Sequence, residues 1–161
     1  KAVPAHRDAI TIVRAPLKGD ALAYKGAVFS VDAPARRPQD RVHDVPIAVG
    51  ATGPLMIKLA GAMADIILLP TFTTPAFVTY ARGQIEKGLR ESGRTFDDVQ
   101  IGATLPFSVH RDSRKARDAI RRLTAVYIAN KVQNIRNDRL MQAAGLTEAN
   151  AIDAKAAFTR K

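Results

Sequence analysis

The sequence predicts an α/β fold built on short parallel strands, and three observations carry that prediction. Val45–Val49 (VPIAV) and Ile66–Leu69 (IILL) are short apolar runs without alternation, the pattern of parallel strands covered on both faces. Pro54 opens a helical stretch between them, which makes Val45 to Leu69 a βαβ unit. Along the rest of the chain, helical and strand-like segments take turns.

The elements follow in order. Pro4 to Leu17 reads as a helix with Ile10, Val13 and Leu17 on one stripe, ended by Lys18-Gly19-Asp20. Leu22 to Val31 holds two β-prone pieces around Lys25-Gly26, a small hairpin. Asp32 to Asp44 is a polar, Pro-containing loop. The first core strand then leads through the turn Gly50-Ala51-Thr52-Gly53 into the Pro54 helix, and the second strand ends at Leu69. After Pro70 to Thr74, Thr74 caps a helix from Pro75 to about Ser92, with Gly93 as its stop. Val99 to Val109 is a third strand, interrupted or ended near Pro106. Asp112 or Ser113 caps a helix to about Ala129; another through Arg139 to Ala144 stops at Gly145; Thr147 caps the last, Glu148 to Phe158. Three core strands, each followed by a helix and joined by right-handed crossovers, give a parallel sheet. Such a sheet has two bare edges and makes a poor domain alone, so the chain reads as one segment, 1–161, of something larger.

Composition bounds the setting. A chain of 161 residues with 47% apolar content and no apolar run of membrane-spanning length is expected to be globular, with no membrane partner. No N-terminal apolar run suggests a secretory signal, although the chain opens on Lys1 and not on Met. The absence of cysteine removes disulfides, thiolate nucleophiles and zinc-thiolate sites, and a cytoplasmic home is the default expectation. The net charge of +10 raises nucleic acid as a partner. Its densest cluster is Arg111, Arg114, Lys115, Arg117, Arg121 and Arg122, on a helix whose Ala116, Ile120, Leu123 and Tyr127 form the opposite, apolar face. None of the six Phe and three Tyr interleaves with this cluster as a base-stacking surface would, so it reads as a solvated face and nucleic acid is not expected.

Function is most legible in the Gly50–Gly53 turn. A glycine-containing loop entering a helix leaves backbone N–H groups aimed outward, where the helix dipole also favours an anion such as a phosphate. The same spacing also suits a plain strand-to-helix turn. No catalytic constellation is visible: His6, His43 and His110 have no carboxylate or nucleophile at a telling spacing, and no metal site is expected. Asp97-Asp98 looks like a carboxylate pair but sits in a turn before a strand, and Asp65 is similarly placed at a strand start.

PIAVGATGPLMIKLAGAMADIILL, then ESGRTFDDVQIG and SVHRDSRKARDAIRR, resemble the luciferase-like monooxygenase superfamily, most closely its coenzyme F-420 (deazaflavin) branch typified by methylenetetrahydromethanopterin reductase. The upstream RDAITIVRAPLKGDALAYKGAVFSV resembles the segment those proteins carry before this strand, and the likeness spans about Pro4 to Leu146. It implies a partial (β/α)8 TIM barrel holding strands five to seven, the remainder coming from residues outside this segment or from another chain. It also implies that Ala51, Thr52, Gly53, Leu55 and Met56 contact the cofactor, and that the loop with Thr71, Phe72 and Thr73 borders substrate, Phe72 as a lid or stacking residue or simply packed. Two departures stand out. Sugar-phosphate-oxidising members place a lysine where this chain has Thr73, which argues against a phosphosugar, and Ile66 follows Asp65 where glycine is usual, a change expected to alter packing only. The implied activity is hydride exchange between a deazaflavin and a small organic substrate, with catalytic groups on strands outside this chain. An FMN-dependent monooxygenase of the same fold is one alternative; a non-enzymatic basic binding module is another. Similar proteins are usually homodimers, although the elements that form their interface lie partly outside this segment.

Overall fold

The structure, a computed structural model, describes residues 2–35, 45–130 and 138–159. Part of the predicted polar loop, with His43, lies outside the described residues. The elements are α1 (Ala2–Lys18), β1 (Leu22–Lys25), β2 (Ser30–Ala33), β3 (Ala48–Gly50), α2 (Pro54–Met63), β4 (Ile66–Leu69), α3 (Pro75–Glu91), β5 (Gln100–Ala103), α4 (Ser113–Ala129), α5 (Arg139–Ala143) and α6 (Glu148–Thr159). They form two compact units, one from residues 1–68 with 81–102, the other from 69–80 with 103–161. Among the described residues no helix is long and apolar enough to cross a membrane.

In the first unit β3 and β4 pair in parallel, Ala48 opposite Ile66 and Gly50 opposite Leu68, and β5 flanks β4 in the order β3-β4-β5. The first strand is shorter and later than Val45–Val49. Asp65 explains this: its carboxylate accepts the Ile47 N–H at 2.8 Å, and its own N–H donates to the Ile47 carbonyl, so the ladder starts only at Ala48. Three parallel strands alone leave the inner face of the sheet without a partner, and the burial pattern agrees. Val49 and Ile67 are buried, whereas Ala48, Gly50 and Leu68 are exposed, so one face of the sheet is open in this chain. Ile10, Ile57, Leu59, Ala60, Ile85 and Leu89 join Val49 and Ile67 in the covered core.

Two arginines tie the N-terminal ends of the strands. Arg14 of α1 pairs with Asp65 at 3.0 Å and donates to the Met63 carbonyl at 2.7 Å. Arg94 donates to the carbonyls of Gly61, Ala64 and Asp98. Burial alone would raise the Asp65 carboxyl, but the Ile47 N–H and Arg14 outweigh it and hold it below its ordinary value.

The hairpin turns over Gly26–Phe29 and is anchored to α1 by Asp8, which is 2% exposed. Its Oδ2 accepts the N–H groups of Val28 (2.6 Å) and Phe29 (3.0 Å), and its Oδ1 accepts the Tyr24 hydroxyl (2.8 Å). Gly26 is obligatory there, because a Cβ would lie 2.4 Å from the Asp8 Cγ. The amide bonds, that of Phe29 foremost, hold the Asp8 carboxyl below its usual value. A depressed carboxylate contributes stability above its unfolded pKa of about 3.9, and that contribution is lost as pH falls through the folded value. Thermal melts of Asp8→Asn across acid pH should therefore show a shallower fall in Tm than the unaltered chain; parallel curves would remove Asp8 from the acid response.

In the second unit, β4 ends at Leu69 and α3 starts at Pro75, with the Thr74 hydroxyl accepting the Phe77 N–H as the predicted cap. Asp112 is the cap of α4, accepting the Arg114 N–H at 2.8 Å. The third strand stops at Ala103, three residues short of Pro106, where the sequence predicts it to be interrupted or ended. Beyond it Leu105, Phe107 and Val109 are exposed, Phe107 at 84%. α4 packs against α6, and Leu140, Met141 and Ala151 are buried. Leu123, expected on the apolar face of α4, is half exposed.

Candidate functional site

The turn after β3 is short and fully described. Gly50 closes the ladder, and the Ala51 N–H donates to the Leu68 carbonyl at 3.1 Å, continuing the sheet by one bond. Ala51 is therefore buried structure, with its amide already used. That limits the expectation of free turn amides to the residues that follow. Gly53 is the residue before α2, extended at φ −81 and ψ 154, and has no side chain to satisfy the helix N-terminus. Pro54 has no N–H to satisfy. Among the described residues no acceptor faces the N–H groups of Thr52, Gly53, Leu55 and Met56; the first helical bond runs from Ile57 to the Gly53 carbonyl.

Four amides without an acceptor among the described residues thus cluster at the C-terminal end of β3, at the positive end of α2. Gly53 is exposed, and a Cβ built on it meets nothing within 4 Å, so the backbone is open to close approach. The Thr52 hydroxyl adds a donor or acceptor, and the Leu55 side chain, 66% exposed, supplies apolar surface beside them. Donors for oxygen or phosphate next to an exposed apolar side chain suit a ligand with an anionic tail and a flat ring system.

Thr71, Phe72 and Thr73 belong to the second unit, in the loop that leaves β4. The Thr73 hydroxyl donates to the Pro70 carbonyl, closing the loop. Phe72 has φ +64, the only positive φ at a non-glycine among the described residues, and its ring lies 4.9 Å from that of Tyr127 on α4. Tyr127 was legible in the sequence only as one apolar position on a helix. No local signal marks its partnership with Phe72.

The other candidates are structural. Asp98 accepts the Thr95 N–H at 2.7 Å in a capping box, and Asp97 is exposed, so the carboxylate pair is a turn. A cavity of about 240 Å³ lined by Asp65, Asp97 and Asp98 lies at the N-terminal ends of β4 and β5, and two of those carboxylates are already committed to backbone N–H groups. His6 and His110 are exposed and bond locally, His6 with the Ala2 carbonyl and His110 with the Asp112 N–H. Of the basic cluster, Arg121 pairs with Asp118 at 3.0 Å and Arg114 with Asp112 at 3.9 Å. Among the described residues no group of three or more His, Cys, Asp or Glu is arranged to hold a metal ion.

Residues 1–160 match the family model for luciferase-like monooxygenases. The chain is 32% identical over 125 residues to a 5,10-methylenetetrahydromethanopterin reductase of Methanopyrus kandleri, covering 76% of this chain and 35% of that protein. It is 33% identical over 118 residues to an F-420-dependent glucose-6-phosphate dehydrogenase of Microbacterium testaceum, covering 71% of this chain and 34% of the relative. Among solved structures, the coenzyme F-420-dependent tetrahydromethanopterin reductase of Methanopyrus kandleri superposes with a TM-score of 0.73 at 27% identity, over 89% of this chain and 40% of that one. An F-420-dependent secondary alcohol dehydrogenase holding an F-420–acetone adduct gives 0.63 at 26% identity, over 76% and 38%. The chain thus spans about a third of the length of the curated relatives it matches. The α/β arrangement of strands and helices is that of the reductase fold, and the chain belongs to the luciferase-like monooxygenase family.

Proposed function

We propose that this chain is one segment, about strands five to seven, of a (β/α)8 barrel enzyme that binds coenzyme F-420 and acts on a small organic substrate. The cluster of free amides at Thr52, Gly53, Leu55 and Met56 carries the reading, because the C-terminal end of a barrel strand is where such folds bind ligands. The open sheet face at Ala48, Gly50 and Leu68 supports the barrel, since inward-pointing strand residues are covered only when the ring of strands closes. Exposed Leu105, Phe107 and Val109 support it likewise.

Thr52, Gly53, Leu55 and Met56 would hold the cofactor by their amides, with the Leu55 side chain against its apolar surface. Bound there, the deazaflavin supplies hydride transfer. The protein's part is orientation and the fixed positive end of α2. The loop of Thr71, Phe72 and Thr73 is assigned to the substrate, and the absence of a charged side chain from Pro70 to Thr74 favours an uncharged group over a phosphosugar.

Anaerobic titration of the full-length protein with F-420 and with FMN, followed by turnover with methylenetetrahydromethanopterin, glucose 6-phosphate and acetone, tests this reading. F-420 should bind and glucose 6-phosphate should not be turned over. Binding of FMN alone would favour the flavin monooxygenase; binding of neither would remove both.

A further inference from the structure

We propose that Tyr127 is a positioning residue, whose ring holds Phe72 at the apex of the loop after β4 and thereby fixes the surface that the loop offers to substrate. The inference rests on the assignment of that loop to substrate. At φ +64 the Phe72 Cβ is crowded against its own chain, a conformation that bulky residues rarely adopt without outside support. The loop's own hydrogen bonds do not supply that support. Thr73 donates to the Pro70 carbonyl, and Thr74 accepts the Phe77 N–H at 3.2 Å, so both flanks are pinned and neither bond touches Phe72.

Tyr127 does touch it. The two rings lie 4.9 Å apart with a tilt of 49°, inside the range where aromatic pairs attract. Tyr127 is half-buried on α4, a helix braced by α6, so the support comes from a long element and not from another loop. Phe72 is also only half-buried, which leaves part of the pair accessible. The loop therefore offers an aromatic edge and threonine hydroxyls, without charge, to whatever it meets. Such a surface fits an uncharged flat or apolar portion of a substrate.

The test uses the full-length protein labelled with para-fluorophenylalanine, its Phe72 fluorine resonance identified by its loss in Phe72→Leu. Tyr127→Leu keeps bulk in α4 and removes the ring; Tyr127→Phe keeps the ring. The Leu variant should shift the Phe72 resonance and raise KM about two- to tenfold for the best substrate of the panel above, with kcat and the F-420 Kd unchanged. The Phe variant, in which the label also enters position 127, should match the unaltered protein in KM, kcat and F-420 Kd. An unmoved resonance in Tyr127→Leu overturns the proposal, as does a rise in the F-420 Kd parallel to KM, which would mark general loss of structure. Failure of the functional reading shows separately, as no F-420 binding by the unaltered protein.

Discussion

Gly88→Ala should destabilise the protein by roughly 3 kcal/mol or more, a fall in Tm of at least about 6 °C, although alanine is the better helix former. A Cβ on Gly88 of α3 would lie 2.0 Å from the Lys58 carbonyl oxygen and 2.9 Å from the Ala62 nitrogen of α2. Gly61 makes the reciprocal approach, its Cβ position being 2.5 Å from the Ile85 carbonyl oxygen. These are backbone atoms in helices and cannot swing aside. Relief requires α2 and α3 to separate, which would open the packing around Ile57, Ile85 and Leu89 and strain the Lys58–Glu91 ion pair at 2.6 Å. The propensity gain of about 1 kcal/mol cannot offset this. Gly83 provides the control, since it lies in the same helix with nothing within 4 Å of its Cβ position. Gly83→Ala should hold or raise Tm, and equal losses at both positions would contradict the close-approach account.

Gly53→Trp should do the opposite, leaving the fold intact while weakening F-420 binding at least about tenfold, some 1.4 kcal/mol. The backbone at Gly53 is ordinary extended chain that any residue adopts, and its Cβ position is open. A bulky side chain there costs the fold little and occupies the space beside the free amides of Thr52, Leu55 and Met56. Thermal melts and fluorescence titration of the same preparation separate the two effects. Unchanged affinity would take the turn out of the site, and a collapsed Tm would make the result a folding effect.

Local features were legible in the sequence because their physics is local. Thr74, Asp112 and Thr147 cap helices by reaching two or three residues along the chain, and Gly93 and Gly145 stop them in the left-handed region at φ +70 and +68. What needed the structure depends on partners far away in sequence. The strand begins at Ala48 because a carboxylate eighteen residues on takes the Ile47 N–H. Ala51 loses its amide to Leu68 through the register of a parallel pair, which no turn motif encodes. Leu68 has the composition of a buried strand residue but is 42% exposed, since an apolar run states that a face must be covered without stating which element covers it. Phe72 in the left-handed region carries no propensity signal, and its support by Tyr127 crosses more than fifty residues.

In the proposed enzyme the turn between β3 and α2 holds the deazaflavin through its amides. A crystal structure of the full-length protein with F-420 tests it most directly. Cofactor oxygens are expected within hydrogen-bonding distance, about 3 Å, of at least two of the Thr52, Gly53, Leu55 and Met56 nitrogens. A bound cofactor that leaves all four amides facing water would contradict it.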